Sequence, residues 1–313
     1  MSENGLVDWL LESKIPSIRY LTMRKMQDRS EDDAEVQQAR QQIMTTGPVP
    51  DILAQQTDQG NWAGENNYYQ PKYRSTHWSM LLLVEFAADP QDEHLQRGAD
   101  FMLADTAERA IQTHAPDHQD LACFWANVLR YVLYCGYADD PRLANVIKVL
   151  TLAAGPRGWG CVHNGQLACA WGAIRALWGL AALPEHLRTP EVNAAIDSGM
   201  DFIFGDIYSL TAANYPTDGS VHKHWSRLNF PLFYQADILL ALRAAADLGQ
   251  LDRPGVQAGL QWLVDRRGSN GRWSGASPYR STTWPGIGGR EETRRWISLH
   301  AARILQQAGM PIA

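Results

Sequence analysis

Apolar side chains recur at i, i+3, i+4 and i+7 along almost the whole chain, and strict apolar/polar alternation over a strand length is absent. That period predicts helices over 4–14, 17–28, 31–43, 74–87, 92–104, 118–136, 141–153, 166–183, 190–204, 230–248, 254–267 and 291–308. Their ends carry suitable residues. Asp140-Pro141, Thr189-Pro190 and Arg253-Pro254 put proline at a first helical position, and Gly136, Gly249 and Gly309 stand where left-handed C-caps belong. The chain reads as all-α.

Short and long links alternate between these segments. Links 88–91, 137–140, 184–189 and 249–253 are short, whereas 44–73, 105–117, 154–165, 205–229 and 268–290 are long and rich in Gly, Pro, Trp and His. Three long links carry a related phrase: QQTDQGNW ending at Trp62, GPRGW ending at Trp159, and RRGSNGRW ending at Trp273. They recur roughly every hundred residues, or two helix pairs, which is the mark of a helical array whose units bury their apolar faces against neighbours.

A glycine-tryptophan turn after an outer helix that ends near glutamine, as in Gln55 to Trp62 and Gln261 to Trp273, resembles the QW-type repeat of squalene cyclases and protein prenyltransferase β-subunits. The resemblance implies an (α/α)6 toroid in a single domain over 1–313, and the twelve predicted helices supply six inner and six outer members. An open solenoid of helix pairs is the alternative. The inner set is 17–28, 74–87, 118–136, 166–183, 230–248 and 291–308, so the long outer-to-inner links share one end. Long ordered loops on a rigid scaffold carry function, and helix N-termini favour anions, so the mouth is expected there.

Composition narrows the chemistry. A net charge of −6 and the lack of any long Lys/Arg run exclude a nucleic-acid footprint. No apolar stretch reaches the length of a membrane span, and the N-terminal sequence is not that of a signal peptide, so a soluble, cytoplasmic protein of undefined oligomeric state is expected. Twelve tryptophans exceed the usual share of about one residue in a hundred, which suggests that indole rings line something.

Four cysteines fall in the middle of the chain. Cys123 and Cys169 lie in the first turns of two inner segments and Cys161 in the link between them, so three thiols are expected to meet at the mouth, with pKa values lowered by the helix N-termini. Zinc ligation, inert packing and a reactive thiol are the three readings, with His163, His118, His222 or His224 as a fourth ligand. Toroid prenyltransferases and lanthionine cyclases hold such a zinc, and the resemblance therefore implies one. Cys135 reads as packing.

Polar and aromatic residues on inner segments mark a candidate cavity. Asn127, Tyr131 and Tyr134 share a stripe, as do Trp171, Arg175 and Trp178, then Tyr234 and Asp237, then Trp296 and His300. Asp237 inside NFPLFYQADILLAL requires a partner if buried, with Arg175 and Tyr234 as candidates. At the mouth, Lys72, Arg74, His77, Trp78, Trp225, Arg280 and Trp284 suit an anionic head on an apolar tail. A squalene-type cyclase protonates an olefin with the middle acid of DxDD. The corresponding PDHQD has Gln119 there, which cannot donate that proton, leaving Asp237, Asp120 or Tyr234 as catalytic candidates. The leading expectation is a prenyltransferase- or terpene-cyclase-like enzyme binding an apolar, isoprenoid-like small molecule. A carbohydrate-active hydrolase or lyase with paired carboxylates, and a non-catalytic ligand-binding toroid, are the alternatives.

Overall fold

The computed structural model describes residues 3–63, 68–112, 121–156, 158–165, 167–205 and 222–312. Its α-helices are α1 Glu3–Leu11, α2 Pro16–Lys25, α3 Ala34–Thr45, α4 Pro48–Leu53, α5 Thr76–Glu85, α6 Glu93–Gln112, α7 Ala122–Tyr134, α8 Leu143–Leu152, α9 Ala170–Leu180, α10 Pro190–Phe204, α11 Ile238–Asp247, α12 Pro254–Asp265 and α13 Arg290–Gln307. Each predicted segment overlaps one of these, and α4 is an addition inside the link read as 44–73. Gly136, Gly249 and Gly309 take φ of +87°, +68° and +67°, the left-handed conformation expected of them. Among the described residues, no helix is long and apolar enough to cross a membrane.

The chain is mostly helical, as expected, with one small addition: Ala154–Gly155 and Gly158–Trp159 pair antiparallel as a two-residue hairpin, β1 and β2, at the glycine-tryptophan turn. One helix boundary needs correction. The segment read as helix over 230–248 is helical only from Ile238. Pro231 disfavours the helical conformation for Phe230, and Asp237 takes the N-cap role, its carboxylate accepting the Leu240 N–H at 2.8 Å.

The described residues form two compact units, the first comprising 1–98, 228–232 and 262–313 and the second 99–227 and 233–261. In the first, α2 packs on α1, α3 and α13, and α3 packs on α4. The N-terminal helix is fastened to the C-terminal one: Trp9 donates to Glu291 at 2.9 Å, Ser13 donates to Glu292, and the Arg295 guanidinium lies 5.1 Å from the Trp9 ring. In the second unit α9 is central, buried at every position from Ala170 to Leu180 and packed on α7, α10 and α11. Its Gly179 permits the approach to α7, because a Cβ there would stand 2.6 Å from the Ala126 carbonyl oxygen.

The repeated tryptophans share one geometry. All three are fully buried, and each indole N–H donates to a carbonyl near the end of the preceding helix: Trp62 to Ile52 at 2.6 Å, Trp159 to Leu150 at 2.8 Å, Trp273 to Leu263 at 2.8 Å. The last carbonyls of a helix have no partner within it, so the indole satisfies one while burying its own donor. A glycine with positive φ turns the chain before each ring: Gly60 at +85°, Gly158 at +79° and Gly271 at +69°. On the far side the ring needs a seat without a side chain. A Cβ on Gly98 of α6 would stand 2.9 Å from Trp62, and one on Gly199 of α10 would stand 2.7 Å from Trp159. Trp62 therefore joins α4 to α6 within the first unit, and Trp159 joins α8 to α10 within the second.

Candidate ligand-binding site

Within the second unit, α7, α9 and the start of α11 bring most of the predicted cavity residues together. Trp171, Arg175 and Trp178 occupy one face of α9 through their i, i+4, i+7 spacing. Trp178 is fully buried, and three guanidiniums surround its ring: Arg130 of α7 at 4.6 Å, Arg175 at 5.3 Å and Arg243 of α11 at 5.8 Å. Arg130 also donates to the Trp178 carbonyl and to Asp247, each at 3.1 Å. Tyr131 is buried on α7 and Trp225 is buried ahead of α11, its carbonyl accepting the Ile238 N–H at 3.0 Å.

The extended stretch before α11 is clamped from two helices. Asn127 donates to the Phe233 carbonyl at 3.2 Å, and Arg175 donates to the Gln235 carbonyl at 2.8 and 3.3 Å. Tyr234 and Asp237 thus sit on this stretch and at its cap, and do not form a helical stripe. Asp237 holds the helix start, whereas Arg175 holds the strand-like approach to it. The Asn127 Oδ1, Gln235 Oε1 and Trp178 Nε1 atoms are buried without a hydrogen-bond partner. Such groups are costly in a dry core, and they are polar positions that a bound molecule or water would satisfy. Beside them the Trp171 ring meets His222 edge-on at 4.8 Å and Tyr234 at 5.9 Å. Burial and then the Lys223 charge hold the His222 imidazole below its ordinary pKa, and burial followed by His222 and other cations does the same at His224.

One cysteine, Cys123, departs from the expectation. Cys123 starts α7, Cys161 lies in the link and Cys169 caps α9, its sulfur accepting the Gly172 N–H at 3.3 Å. Burial, followed by the neighbouring Cys161, pushes the Cys123 thiol up to about 12, against a smaller opposing pull from Arg175. Desolvation outweighs the helix N-terminus, so the expected lowering of this thiol is overturned. Among the described residues no group of three or more His, Cys, Asp or Glu is placed to hold a metal ion.

The remaining predicted residues belong to the first unit. His77 and Trp78 are buried at the start of α5 with ring centroids 4.6 Å apart, Tyr69 lies 4.8 Å from Trp78, and the Lys72 ammonium lies 5.7 Å from the Tyr69 ring. Trp284 donates to Ser79 at 2.9 Å with Arg74 5.9 Å from its ring, and Arg280 donates to Thr293. Trp296 stacks on Phe230 at 4.3 Å and 17°. Sequence reading missed Glu85, whose carboxylate lies 3.8 Å from His300 with both side chains buried. The available signal is a lone acid closing the apolar run of THWSMLLLVE. Asp120, Asp117, Gln119 and His118 lie outside the described residues. Neither a protein-family model nor a curated protein matches this chain.

Proposed function

We propose that this chain binds an apolar, isoprenoid-like small molecule against the aromatic and cationic surface of α7, α9 and α11, with Arg175 and Arg243 facing an anionic head and Tyr131, Trp171 and Trp178 facing the apolar body. The observation that carries this reading is the Trp178 ring within 6 Å of three guanidiniums, beside buried polar atoms that lack partners. Cationic groups at an aromatic wall suit a carboxylate or diphosphate joined to a greasy chain. The same reading carries an (α/α)6 toroid with its mouth at the outer-to-inner links, supported by the three tryptophan turns with one hydrogen-bond geometry. No step of it uses zinc. Elemental analysis showing stoichiometric zinc that a Cys161→Ser, Cys169→Ser double variant loses would add a metal to the site.

Within this reading, one observation favours binding without acid catalysis. The Asp237 carboxylate accepts the Leu240 N–H as the cap of α11, so protonating it to serve as an acid would weaken that cap. Native mass spectrometry of freshly purified protein tests the proposal: a retained lipid mass that Arg175→Gln and Arg243→Gln diminish is expected. Protein that neither carries nor takes up farnesyl diphosphate would refute it.

A further inference from the structure

A second candidate site lies in the first unit. A cleft of about 460 Å³ runs along the seam of α2 and α3, bordered by Leu11, Arg19, Met23, Gln38, Ala39 and Gln42, with Arg29 and Glu35 closing one end. Clefts of about 300–1,000 Å³ are the size that holds small molecules. Glu35 and Gln42 are two turns apart on α3, so the seam is about 10 Å long.

Its charge is uneven. At one end Arg29 pairs with Asp33 at 2.6 Å and with Glu35 at 2.7 Å, two carboxylates to one guanidinium, leaving that end with one net negative charge. At the other end Arg19 donates to the Ser13 carbonyl and to the Gln42 side-chain oxygen, each at 2.5 Å. No carboxylate lies within ion-pair distance of Arg19 among the described residues. Glu292 acts on it from further away, and that carboxylate already pairs with Arg295 at 3.2 Å. A guanidinium has five N–H donors, and two hydrogen bonds leave most of its fork open. Burial lowers the Arg19 pKa against the weaker pull of Glu292, which marks a cation partly stripped of water. Between the ends, Met23 and Ala39 form a buried apolar floor, Leu11 a partly exposed wall, and the Gln38 side chain stands exposed at the rim.

We propose that this cleft binds a small aliphatic carboxylate, its head on Arg19 and its chain lying along Leu11, Met23 and Ala39. A bound carboxylate would give Arg19 the charge-assisted partner that the fold leaves out, and the 10 Å seam sets the chain length. This site stands independently of the proposed function, whose residues are in the other unit.

Isothermal titration calorimetry with octanoate and with octanol tests it on the full chain. Octanoate is expected to bind at least roughly tenfold more tightly than octanol, the size of one hydrogen bond to a charged group. Arg19→Lys, which keeps the charge but loses the fork, is expected to weaken octanoate several-fold. Gln38→Glu, an exposed change that adds a negative charge at the rim without touching the core, is expected to do the same. Far-UV circular dichroism confirms folding, and Gln38→Glu decides the matter if Arg19→Lys does not fold. Equal affinity for octanoate and octanol, or octanoate binding unchanged in either folded variant, would overturn the site.

Discussion

Gly199→Ala in α10 separates helix propensity from the packing of the tryptophan turn. In an ordinary exposed helix interior this change stabilises by about 1 kcal/mol, because alanine restricts the unfolded chain and glycine does not. Here the new methyl would stand 2.7 Å from the Trp159 ring and 3.0 Å from Leu177. The ring cannot retreat freely, since it is fully buried and its N–H is held by the Leu150 carbonyl at 2.8 Å. Overpacking of this kind costs about 1–3 kcal/mol, which outweighs the propensity gain and leaves a net loss of about 1 kcal/mol. Trp159→Phe shortens the ring and removes the donor, at a cost of about 1–3 kcal/mol of its own. The double variant should then lose less than the sum of the single ones, by about 1 kcal/mol, because the methyl no longer meets the ring. Urea unfolding followed by far-UV circular dichroism reads all three values. A Gly199→Ala protein more stable than the parent, or single effects that simply add, would refute the proposed seat for the ring.

Three further outcomes are expected. Asp237→Ala should cost about 1–2 kcal/mol in urea unfolding through loss of the α11 cap, whereas Asp237→Asn should retain most of that stability and leave ligand binding unchanged. The His222 and His224 pKa values are held below the usual value near 6.5, so on acidification the unfolded chain takes up protons first. Stability is then complete above about pH 6.5 and falls below it, and a His222→Gln, His224→Gln double variant should flatten that fall in thermal melts across the range. Because burial pushes the Cys123 thiol up to about 12, iodoacetamide at mildly alkaline pH should alkylate it far more slowly in the folded protein than in urea, as peptide mapping would show.

Most helices were legible because the apolar period and the Pro and Gly signals are local. Thr189-Pro190 opens α10 and Gly249 follows α11 as expected, with no tertiary knowledge required. The stretch from Phe230 to Ala236 was misread for a physical reason: a short apolar run is compatible with helix or extended chain, and only Pro231 argued against helix. Whether Asp237 is a buried acid or a cap depends on where that helix begins, so its role could not be read before the boundary was known. Trp171, Arg175 and Trp178 were visible as a stripe, but Arg130 and Arg243 were not, since each belongs to another helix and looks like an ordinary surface cation. The environment of Cys123 was not legible, because the balance between desolvation and the helix terminus is set by the packing around it.

Photocrosslinking with a diazirine-bearing farnesyl diphosphate analogue tests the central claim most directly, because it reports where a ligand lies. Labelled peptides are expected to map to Trp171–Trp178 of α9 and to the facing part of α7, with labelling lowered by unlabelled farnesyl diphosphate and by Arg175→Gln. Labelling confined to peptides outside α7, α9 and α11, or labelling that unlabelled compound does not compete away, would contradict it.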